Sequence, residues 1–436
     1  MKETDVLIIG SGLTGLSAAY FLNKSINYII CEKEEKIGGL CRTNYINGFY
    51  FDLTGHLLHL TNYEIEKFLL EDLKINLVSI KRNSAIFLYN RYIPYPFQVN
   101  TFPLPAEIIY ECIYDFIMTK FKAKKLQPKN FREWLLYIFG KGMCKHFMFP
   151  YNEKLWLYNL SKISNEWIWT IPQPEIEDVL KGALGIADKM YGYNPIFYYP
   201  SNSGIEILPN TLASHLTNIL INHEIVLIDY KNKIAYCKNG ESIKYNILIN
   251  TIPINKFLLI LKNAPTLIYE YAHRLRYVKV INFNIGIKKY KVSPYHWIYF
   301  PEANFPFYRI GFYTNFTDAL APPYTTSMYI EVSHKQNENI DVSELRNNII
   351  KGLSALGYID NSSDIIAEQV AILSPAYVIF DFKRSKTIAR VKRFLAKNRI
   401  YTTGRFGGWD YTSMESALLN GKETAHPELV EGLSGC

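Results

Sequence analysis

Apolar runs of strand and helix length alternate with a glycine turn in the first 32 residues. Asp5 to Ile9 is an apolar run of strand length, and Leu16 to Asn23 repeats at helical spacing. Gly10 to Gly15, with the sequence GSGLTG, lies between them, and a second apolar run, Tyr28 to Cys31, ends at Glu32. This order of strand, glycine turn, helix, strand and acidic residue predicts a dinucleotide-binding βαβ unit.

The remaining pattern predicts a helix-rich insertion and a second, aromatic sheet. Amphipathic helical spacing runs from Pro105 to Phe121 and from Phe131 to Phe149, after a predicted hairpin around Asn90. Tyr245 to Thr251 is typical of a buried strand, which we expect to rejoin the nucleotide-binding sheet. Between residues 275 and 335, β-rich segments predict an antiparallel sheet with aromatic faces. Further helices are expected at about 205–221, 343–356 and 383–396.

These elements predict an α/β fold with three parts. Residues 1–60 are expected to form a Rossmann-like core, completed by about 200–260 and 398–425. Residues 61–195 form a mainly helical insertion, and 265–340 an antiparallel-sheet substrate domain. The last residues, 426–436, differ in character from the chain before them; we interpret them as an atypical tail without an assigned function.

Composition and charge limit the classes of partner. Of 436 residues, 48% are hydrophobic and 20% charged, as in an ordinary globular protein. The net charge of +8 comes from scattered lysines, and the densest cluster, Lys120 to Lys125, is expected on a solvated turn. No stacking motif accompanies it, so we expect no nucleic-acid partner. A basic balance suits an anionic nucleotide substrate.

Cysteine spacing and hydropathy indicate a cytoplasmic protein. The six cysteines show neither CxxC nor zinc spacing, which predicts reduced thiols and no metal site. The first apolar run is already used as a strand, so no signal peptide is expected. No uncharged apolar stretch reaches the roughly 18 residues of a membrane span, and none is expected.

The GSGLTG turn has the spacing needed to hold a pyrophosphate. Gly10 permits the tight turn, Gly12 lets the backbone approach the phosphates, and Gly15 lets the helix pack closely on the strand. Glu32 is placed to accept hydrogen bonds from ribose hydroxyls. The predicted nucleotide-binding residues here are Gly10, Gly12, Leu13, Thr14, Gly15 and Glu32. This motif alone leaves NAD and FAD open.

A second glycine motif decides for FAD. The segment from Gly38 to Thr43, GGLCRT, resembles the GG-x-x-R-T continuation of flavoproteins in the amine oxidase and UDP-galactopyranose mutase superfamily. In that superfamily the paired glycines and the arginine contact the FAD pyrophosphate. The resemblance therefore implies that Gly38, Gly39 and Arg42 help to bind FAD.

Two later segments resemble further FAD contacts of the same superfamily. Gly55-His56 resembles a D-x-G-G-H loop that runs beside the isoalloxazine, with Thr54 in place of the first of its two glycines. The resemblance implies that His56 positions the backbone on the flavin side; we expect His59 to be structural. Gly404-Arg405 resembles the last FAD segment of the superfamily.

Dispersed segments resemble the UDP-galactopyranose mutase family, nearer its eukaryotic type, over nearly the full length. Aromatic faces can stack a base, amides can satisfy its polar edge, and an arginine fork can bond phosphate bidentately. The resemblance implies that uridine contacts Tyr95, Phe97, Gln98, Asn152 and Trp156. It implies that the diphosphate is held by Tyr299, Arg309 and Tyr411, with Trp297 in the same segment as Tyr299. Arg309, His56, Tyr299 and Tyr411 would then be the catalytic-site residues.

One segment departs from that family. Mutases place an arginine near the sugar diphosphate, but residues 164–174, SNEWIWTIPQP, contain none, and Thr170 or Ile171 falls at that place. Loss of one charged contact costs roughly 1.5–3 kcal/mol. Either another cation, such as Lys154, or Arg309 alone carries the charge, or the substrate differs from the family's.

The resemblance implies a FAD-dependent isomerase for a nucleotide sugar such as a UDP-hexose. In that chemistry reduced flavin N5 attacks the anomeric carbon, UDP leaves, and the sugar ring opens and recloses on the adduct. An electron donor such as NAD(P)H would be needed. The alternative is a FAD-dependent oxidase of the amine oxidase or protoporphyrinogen oxidase type, which shares the N-terminal motifs but does not need a uridine pocket. A non-catalytic FAD-binding protein is a third reading.

Overall fold

The computed structural model describes residues 1–22, 24–121, 127–187, 191–192 and 195–425. The strands are β1 (Lys2–Ile9), β2 (Tyr28–Cys31), β3 (Thr43–Ile46), β4 (Phe49–Asp52), β5 (Leu77–Lys81), β6 (Ser84–Leu88), β7 (Arg91–Pro94), β8 (Ile196–Pro200), β9 (Ile219–Leu220), β10 (Ile225–Asp229), β11 (Ile234–Cys237), β12 (Ser242–Asn250), β13 (Tyr277–Ile287), β14 (Trp297–Tyr299), β15 (Arg309–Phe312), β16 (Thr326–Lys335), β17 (Ile365–Val378) and β18 (Ile400–Thr402).

The α-helices are α1 (Leu13–Phe21), α2 (Tyr63–Lys67), α3 (Ala106–Phe121), α4 (Phe131–Met143), α5 (Phe149–Trp156), α6 (Ile176–Ala183), α7 (Ile207–Ser214), α8 (Ile254–Leu259), α9 (Thr266–Arg274), α10 (Val342–Ala355), α11 (Arg384–Ala396), α12 (Gly404–Gly407) and α13 (Met414–Thr424). π-helical turns extend α2 at Phe68–Asp72 and join α4 to α5 at Cys144–Met148. Short 3₁₀ turns occupy Phe97–Val99, Leu160–Lys162, Ile168–Thr170, Tyr313–Asn315, Asp318–Leu320 and Ser362–Asp364.

The first sheet is the nucleotide-binding sheet, with the order β10-β11-β12-β1-β2-β9 and with β18 beside β12. β1 pairs in parallel with both β2 and β12, which confirms that residues 245–251 rejoin this sheet. Val6 to Ile9 are all buried, as expected for a parallel strand covered on both faces. α13 closes over α1, and the Ser17 hydroxyl donates to the Leu418 carbonyl at 2.6 Å.

The second sheet has the order β17-β13-β16-β15-β14-β6-β7. Its pairs are antiparallel except β14 with β6, so the β6–β7 hairpin of the insertion extends the aromatic sheet. One face is apolar and packs on α10 through residues such as Phe283 and Ile330. Because side chains alternate along a strand, the other face carries Asn282 of β13 together with Tyr329 and Glu331 of β16.

The helical insertion is held together by a close approach between α3 and α4. Gly140 has φ +75°, and a Cβ there would lie 2.5 Å from the Asp115 carbonyl oxygen. At Gly142 the corresponding distance to the Glu111 carbonyl oxygen is 2.4 Å. Only residues without a side chain allow the two helices to approach so closely.

One sequence prediction of secondary structure was wrong, and one strand was missed. The helix expected at 205–221 ends at Ser214, because Ile219 and Leu220 instead pair with β2 at the sheet edge. The 14-residue strand β17 was not predicted at all. It is an edge strand that contains Pro375 and shows no regular alternation of polar and apolar residues, which weakens its strand signal.

The structure also bears on the predictions for the cysteines, membrane spans and C-terminal tail. The cysteines in the described ranges, Cys31, Cys41, Cys112, Cys144 and Cys237, are free and buried. Among the described helices none is long and apolar enough to cross a membrane. Most of the lysine cluster, residues 122–125, and the tail 426–436 lie outside the described residues.

Candidate active site between the two sheets

Hydrogen bonds to Glu32 fix the conformation of the turn after β1. Gly10 has φ +99°, and a Cβ on Gly15 would lie 2.0 Å from the Gly10 carbonyl oxygen, so neither position accepts a side chain without a shift. The Glu32 carboxylate accepts hydrogen bonds from the Ser11 backbone N–H at 3.0 Å and from its hydroxyl at 2.7 Å. Glu32 therefore fixes the turn, in the place where the sequence predicts a ribose contact.

Three glycine segments converge at the N-terminus of α1. A Cβ on Gly39 would meet the Gly12 Cα at 3.1 Å, and a Cβ on Gly404 would meet the Thr14 hydroxyl at 2.5 Å. The first N–H groups of a helix have no partner within the helix and favour an anion. The convergence leaves a cradle of backbone where a pyrophosphate fits.

The Arg42 side chain supports the same assignment. Its Nε is buried and has no hydrogen-bond partner among the described residues. A buried guanidinium nitrogen without a partner is costly, and a phosphate oxygen would satisfy it. The predicted FAD residues Gly38, Gly39 and Arg42 are thus brought beside the GSGLTG turn.

The loop from Asp52 to His56 leads from the cofactor side to the second sheet. Asp52 accepts hydrogen bonds from Thr43 and Tyr199, both at 2.6 Å, and burial raises its pKa to about 6. Gly55 lies against the Tyr329 ring, where a Cβ would come within 2.3 Å.

His56 is neutral in this position. Burial lowers its pKa to about 4, and its Nδ1 lies 3.0 Å from the Thr54 carbonyl oxygen. Since a carbonyl only accepts, Nδ1 carries the proton and Nε2 remains as an acceptor.

A row of side chains crosses the second sheet on the face that meets this loop. In the strand register Tyr299 lies opposite Arg309, and Arg309 lies opposite Glu331. Arg309 donates through Nε and Nη2 to Glu331 Oε2, each at 2.6 Å. Burial by itself raises the pKa of Glu331, but the Arg309 charge and hydrogen bonds hold it below its usual value. The pair is therefore ionised.

Tyrosines surround this charge pair on one side. The Tyr95 and Tyr151 rings lie 5.2 and 5.3 Å from the Tyr299 ring, and Tyr151 stacks on Phe147 at 5.4 Å. Burial raises the pKa of Tyr299, so its hydroxyl stays protonated near neutral pH. Sequence reasoning missed Tyr151, although it directly precedes the predicted Asn152.

Tyr411 packs against Tyr377, a residue that sequence reasoning also missed. Its ring stacks on Tyr377 of β17 at 6.0 Å, and the Arg405 guanidinium carbon lies 4.8 Å from the Tyr411 ring centroid. Arg405 donates to the carbonyls of Thr412 and Ala376, at 2.8 and 3.1 Å. It therefore supports the tyrosines and fixes the α12 segment.

Five predicted substrate residues are enclosed behind the site: Phe97, Gln98, Asn152, Trp156 and Trp297 are each between 0 and 5% exposed. The Asn152 amide is used internally, since it accepts from Trp156 Nε1 at 3.3 Å and donates to the Met148 carbonyl at 2.8 Å. Gln98 donates to the Pro172 carbonyl at 2.7 Å. In this structure these five side chains pack beneath the site, and half-buried tyrosines such as Tyr95 and Tyr299 are the ones that remain accessible.

Lys154, which the sequence offered as another cation for a diphosphate, is bonded to backbone carbonyls. Its Nζ donates to the carbonyls of Phe300 and Glu302, at 2.9 and 2.7 Å, and it lines a different cavity of about 830 Å³. Arg82 is the cation that lies beside Tyr95, with its guanidinium carbon 4.9 Å from the ring centroid. Sequence reasoning missed Arg82, because it follows β5 outside every motif.

Comparison with known proteins shows the family of this chain and relatives of its fold. Residues 13–426 match the model of the flavin containing amine oxidoreductase family. The fold matches a crystal structure of reduced UDP-galactopyranose mutase with a TM-score of 0.91 and 26% identity, over 99% of this chain and 94% of that one. A curated relative from Methanothermococcus thermolithotrophicus, named as an uncharacterized protein in the nifH2 3′ region, is 32% identical over 57 residues. That match spans 13% of this chain and 56% of the relative.

Oxidases share the fold at lower identity. A structure from Exiguobacterium sp. 255-15 assigned as a protoporphyrinogen oxidase matches with a TM-score of 0.75 and 15% identity, over 99% of each chain. A redesigned putrescine oxidase matches with a TM-score of 0.67 and 14% identity, again over 99% of each chain. The chain belongs to the flavin containing amine oxidoreductase family and is a FAD-dependent enzyme.

Proposed function

We propose that this enzyme isomerises a nucleotide sugar of the UDP-hexose class, as a UDP-galactopyranose mutase does. The observation that carries the proposal is the Arg309 guanidinium. Glu331 fixes it through Nε and Nη2, whereas Nη1 makes no hydrogen bond within the described residues. A fixed, partly open arginine fork among tyrosine hydroxyls suits a diphosphate.

The surrounding side chains supply complementary contacts. Tyr299, which lies opposite Arg309 in the strand register, and Tyr411 are half-buried, and their hydroxyls can donate to phosphate oxygens. The stacked Phe147 and Tyr151 rings offer an aromatic face to a base. These residues would hold the leaving diphosphate near the sugar and exclude water from it.

On the cofactor side, the glycine cradle, Glu32 and Arg42 would hold FAD. The chemistry supplied by bound, reduced FAD is a nucleophilic ring atom for the anomeric carbon. Neutral His56 would order the loop beside the cofactor through its bond to the Thr54 carbonyl. With Nε2 unprotonated it can also accept a hydrogen bond from a nearby donor.

An oxidase of an amine or a porphyrinogen is the second candidate. Residues 164–174 contain no arginine, so one charged contact expected for a mutase is absent there. The protoporphyrinogen oxidase and putrescine oxidase structures share the fold over 99% of each chain. An oxidase would not need Arg309 to bind a diphosphate.

The deciding experiment mixes dithionite-reduced, FAD-loaded protein with UDP-galactofuranose and, separately, with UDP-galactopyranose. We expect interconversion, separated by chromatography, only in the reduced protein. Replacing dithionite by NADPH or NADH tests whether a nicotinamide nucleotide supplies the electrons. No conversion and no UDP binding, with oxygen-dependent turnover of an amine or porphyrinogen, would assign the enzyme to the oxidases.

Arg309→Ala provides the matched test of the site. UDP binding should weaken by about 1.5–3 kcal/mol, since one charged hydrogen-bonding partner is lost. FAD content should be unchanged, because the FAD cradle is built from other segments. Unchanged UDP affinity in this variant would contradict the proposed function.

A further inference from the structure

The Thr54 side chain connects the flavin-side loop to the substrate-side charge pair. Its hydroxyl donates a short hydrogen bond to Glu331 Oε1, whereas Arg309 donates only to Oε2. Glu331 is 1% exposed, so these bonds lie away from solvent. The Tyr308 side chain is a further hydrogen-bond partner of this carboxylate.

The hydrogen bond to Glu331 depends on the hydroxyl of the threonine at position 54. The loop resembles a D-x-G-G-H pattern in which the first of the paired glycines would stand where Thr54 stands. Glycine has no hydroxyl and could not reach Glu331. The His56 ring bonds the Thr54 carbonyl, so the same residue is tied to both sides of the site.

The bond restrains how Glu331 can meet Arg309. A carboxylate opposite an arginine tends to engage two guanidinium nitrogens with its two oxygens. Because Thr54 holds Oε1, both contacts from Arg309 converge on Oε2. Without the hydroxyl, Oε1 could turn towards the guanidinium and compete with an incoming anion.

We propose that Thr54 is a positioning residue, which acts through Glu331 to keep the Arg309 Nη1 directed at a diphosphate. This inference rests on the proposed function, because it assumes that Arg309 binds that group. It also gives a reason why one arginine can suffice where residues 164–174 offer none.

Thr54→Val tests the proposal with almost no change of shape. The FAD-loaded variant should bind UDP about tenfold more weakly in calorimetry, as expected when one hydrogen bond to a charged group is lost. Thr54→Ser restores the hydroxyl and should lie within about twofold of the parent protein. Thr54→Gly, which has the residue of the resembling loop, replaces the valine variant if valine prevents folding.

Thr326→Val is the matched control. Thr326 is a buried threonine on β16, the strand of Glu331, and donates to the Lys289 carbonyl at 2.6 Å. Its substitution should lower stability and leave UDP affinity unchanged. An equal loss of UDP affinity in Thr326→Val and Thr54→Val would reduce Thr54 to a structural residue and overturn the proposal.

The double variant Thr54→Val/Arg309→Ala shows whether Thr54 acts through Arg309. If it does, the valine adds no further loss of UDP affinity once the arginine is absent. Additive losses would overturn this inference, as would unchanged affinity in Thr54→Val beside a clear loss in Arg309→Ala. Unchanged affinity in Arg309→Ala would instead contradict the proposed function itself.

Discussion

The two sides of the candidate site are built by opposite means. The cofactor side is a cradle made by missing side chains, where Gly12, Gly39 and Gly404 allow backbone segments to approach one another. The substrate side is a wall of large side chains in which the ionised pair Arg309–Glu331 is enclosed among tyrosines. Substitution of these glycines by larger residues should therefore disrupt the first side. Removal of one member of the Arg309–Glu331 pair should disrupt the second.

This difference also explains how each side can specify its ligand. A glycine cradle and helix N–H groups recognise a pyrophosphate through the backbone, so few side chains matter. Under the proposed function, the second sheet would bind its ligand through side-chain donors such as Arg309, which Glu331 holds in place. A substitution of Thr54 or Glu331 should therefore also change the position of the Arg309 side chain.

The largest effect is expected from Arg309→Met. It leaves Glu331, which is 1% exposed, as a buried carboxylate without its cation. The free energy of unfolding should fall by about 3–5 kcal/mol in urea denaturation. Arg309→Met/Glu331→Gln removes both charges and should recover most of that loss; no recovery would show that the pair is not coupled.

A smaller loss is expected from added bulk on the cofactor side. Gly15→Ala places a Cβ 2.0 Å from the Gly10 carbonyl oxygen, so the backbone must shift. We expect about 2–3 kcal/mol lower stability and loss of bound FAD, measured by denaturation and flavin absorbance.

Gly12→Ala separates folding from FAD binding on the same turn. The nearest atom to its Cβ is the Gly39 Cα at 3.8 Å, an ordinary contact. The variant should fold with normal stability but hold FAD weakly, because the methyl group occupies the cradle. Parent-like FAD content in Gly12→Ala would contradict the placement of the pyrophosphate there.

His296 should make stability depend on pH through the aromatic wall of the second sheet. The Asn83 N–H donates to its Nδ1 at 2.9 Å, so the ring must be unprotonated there, and burial lowers its pKa to about 4. The unfolded chain binds that proton below about pH 6.5, whereas the folded protein does not until about pH 4. Stability is therefore lost as pH falls from about 6.5 to 4, by roughly 3 kcal/mol from this group.

His296→Gln should flatten that part of the profile, since glutamine can still accept the Asn83 N–H and does not titrate. His56 and His59 shift in the same direction, and Asp52, whose pKa is raised to about 6 by burial, shifts oppositely. The comparison of variant with parent in denaturation curves at several pH values isolates His296. Identical profiles would show that this histidine is not buried in the neutral form.

The FAD cofactor could be predicted from the sequence because two of its motifs are each contiguous. The turn from Gly10 to Gly15 and the segment from Gly38 to Arg42 each carry their own spacing, and α1 must follow the first of them. Periodicity also predicted α3 and the β6–β7 hairpin. Local rules suffice where one short segment holds both the geometry and the chemistry.

The substrate side could be predicted only in part, because strand register assembles it. Glu331 meets Arg309 across 22 residues of sequence, and Tyr377 enters from β17, whose strand signal is weak. No local spacing distinguishes Tyr151 from the other tyrosines of a chain that contains 34. Trp297 was predicted as a substrate residue because its segment resembles a substrate site, but its side chain is buried. Its burial depends on tertiary packing, which the motif does not specify.

The smallest expected effect concerns Arg82, the cation that the structure places on the substrate side without a motif. Its guanidinium lies over Tyr95, and its charge lowers the pKa of Tyr95 and Tyr299 against the larger effect of burial, which raises both. Its Nη2 donates to the Tyr191 carbonyl oxygen, so we expect Arg82 to act on the site through its charge rather than by contact with the diphosphate. Arg82→Gln should weaken UDP binding by about 0.5–1 kcal/mol, or two- to fivefold, and Arg82→Lys should keep most of the affinity. The loss should shrink as salt is raised, since partly exposed charges are screened, whereas the loss in Arg309→Ala should change less. An Arg82→Gln effect as large and as insensitive to salt as that of Arg309→Ala would mean that Arg82 contacts the diphosphate directly.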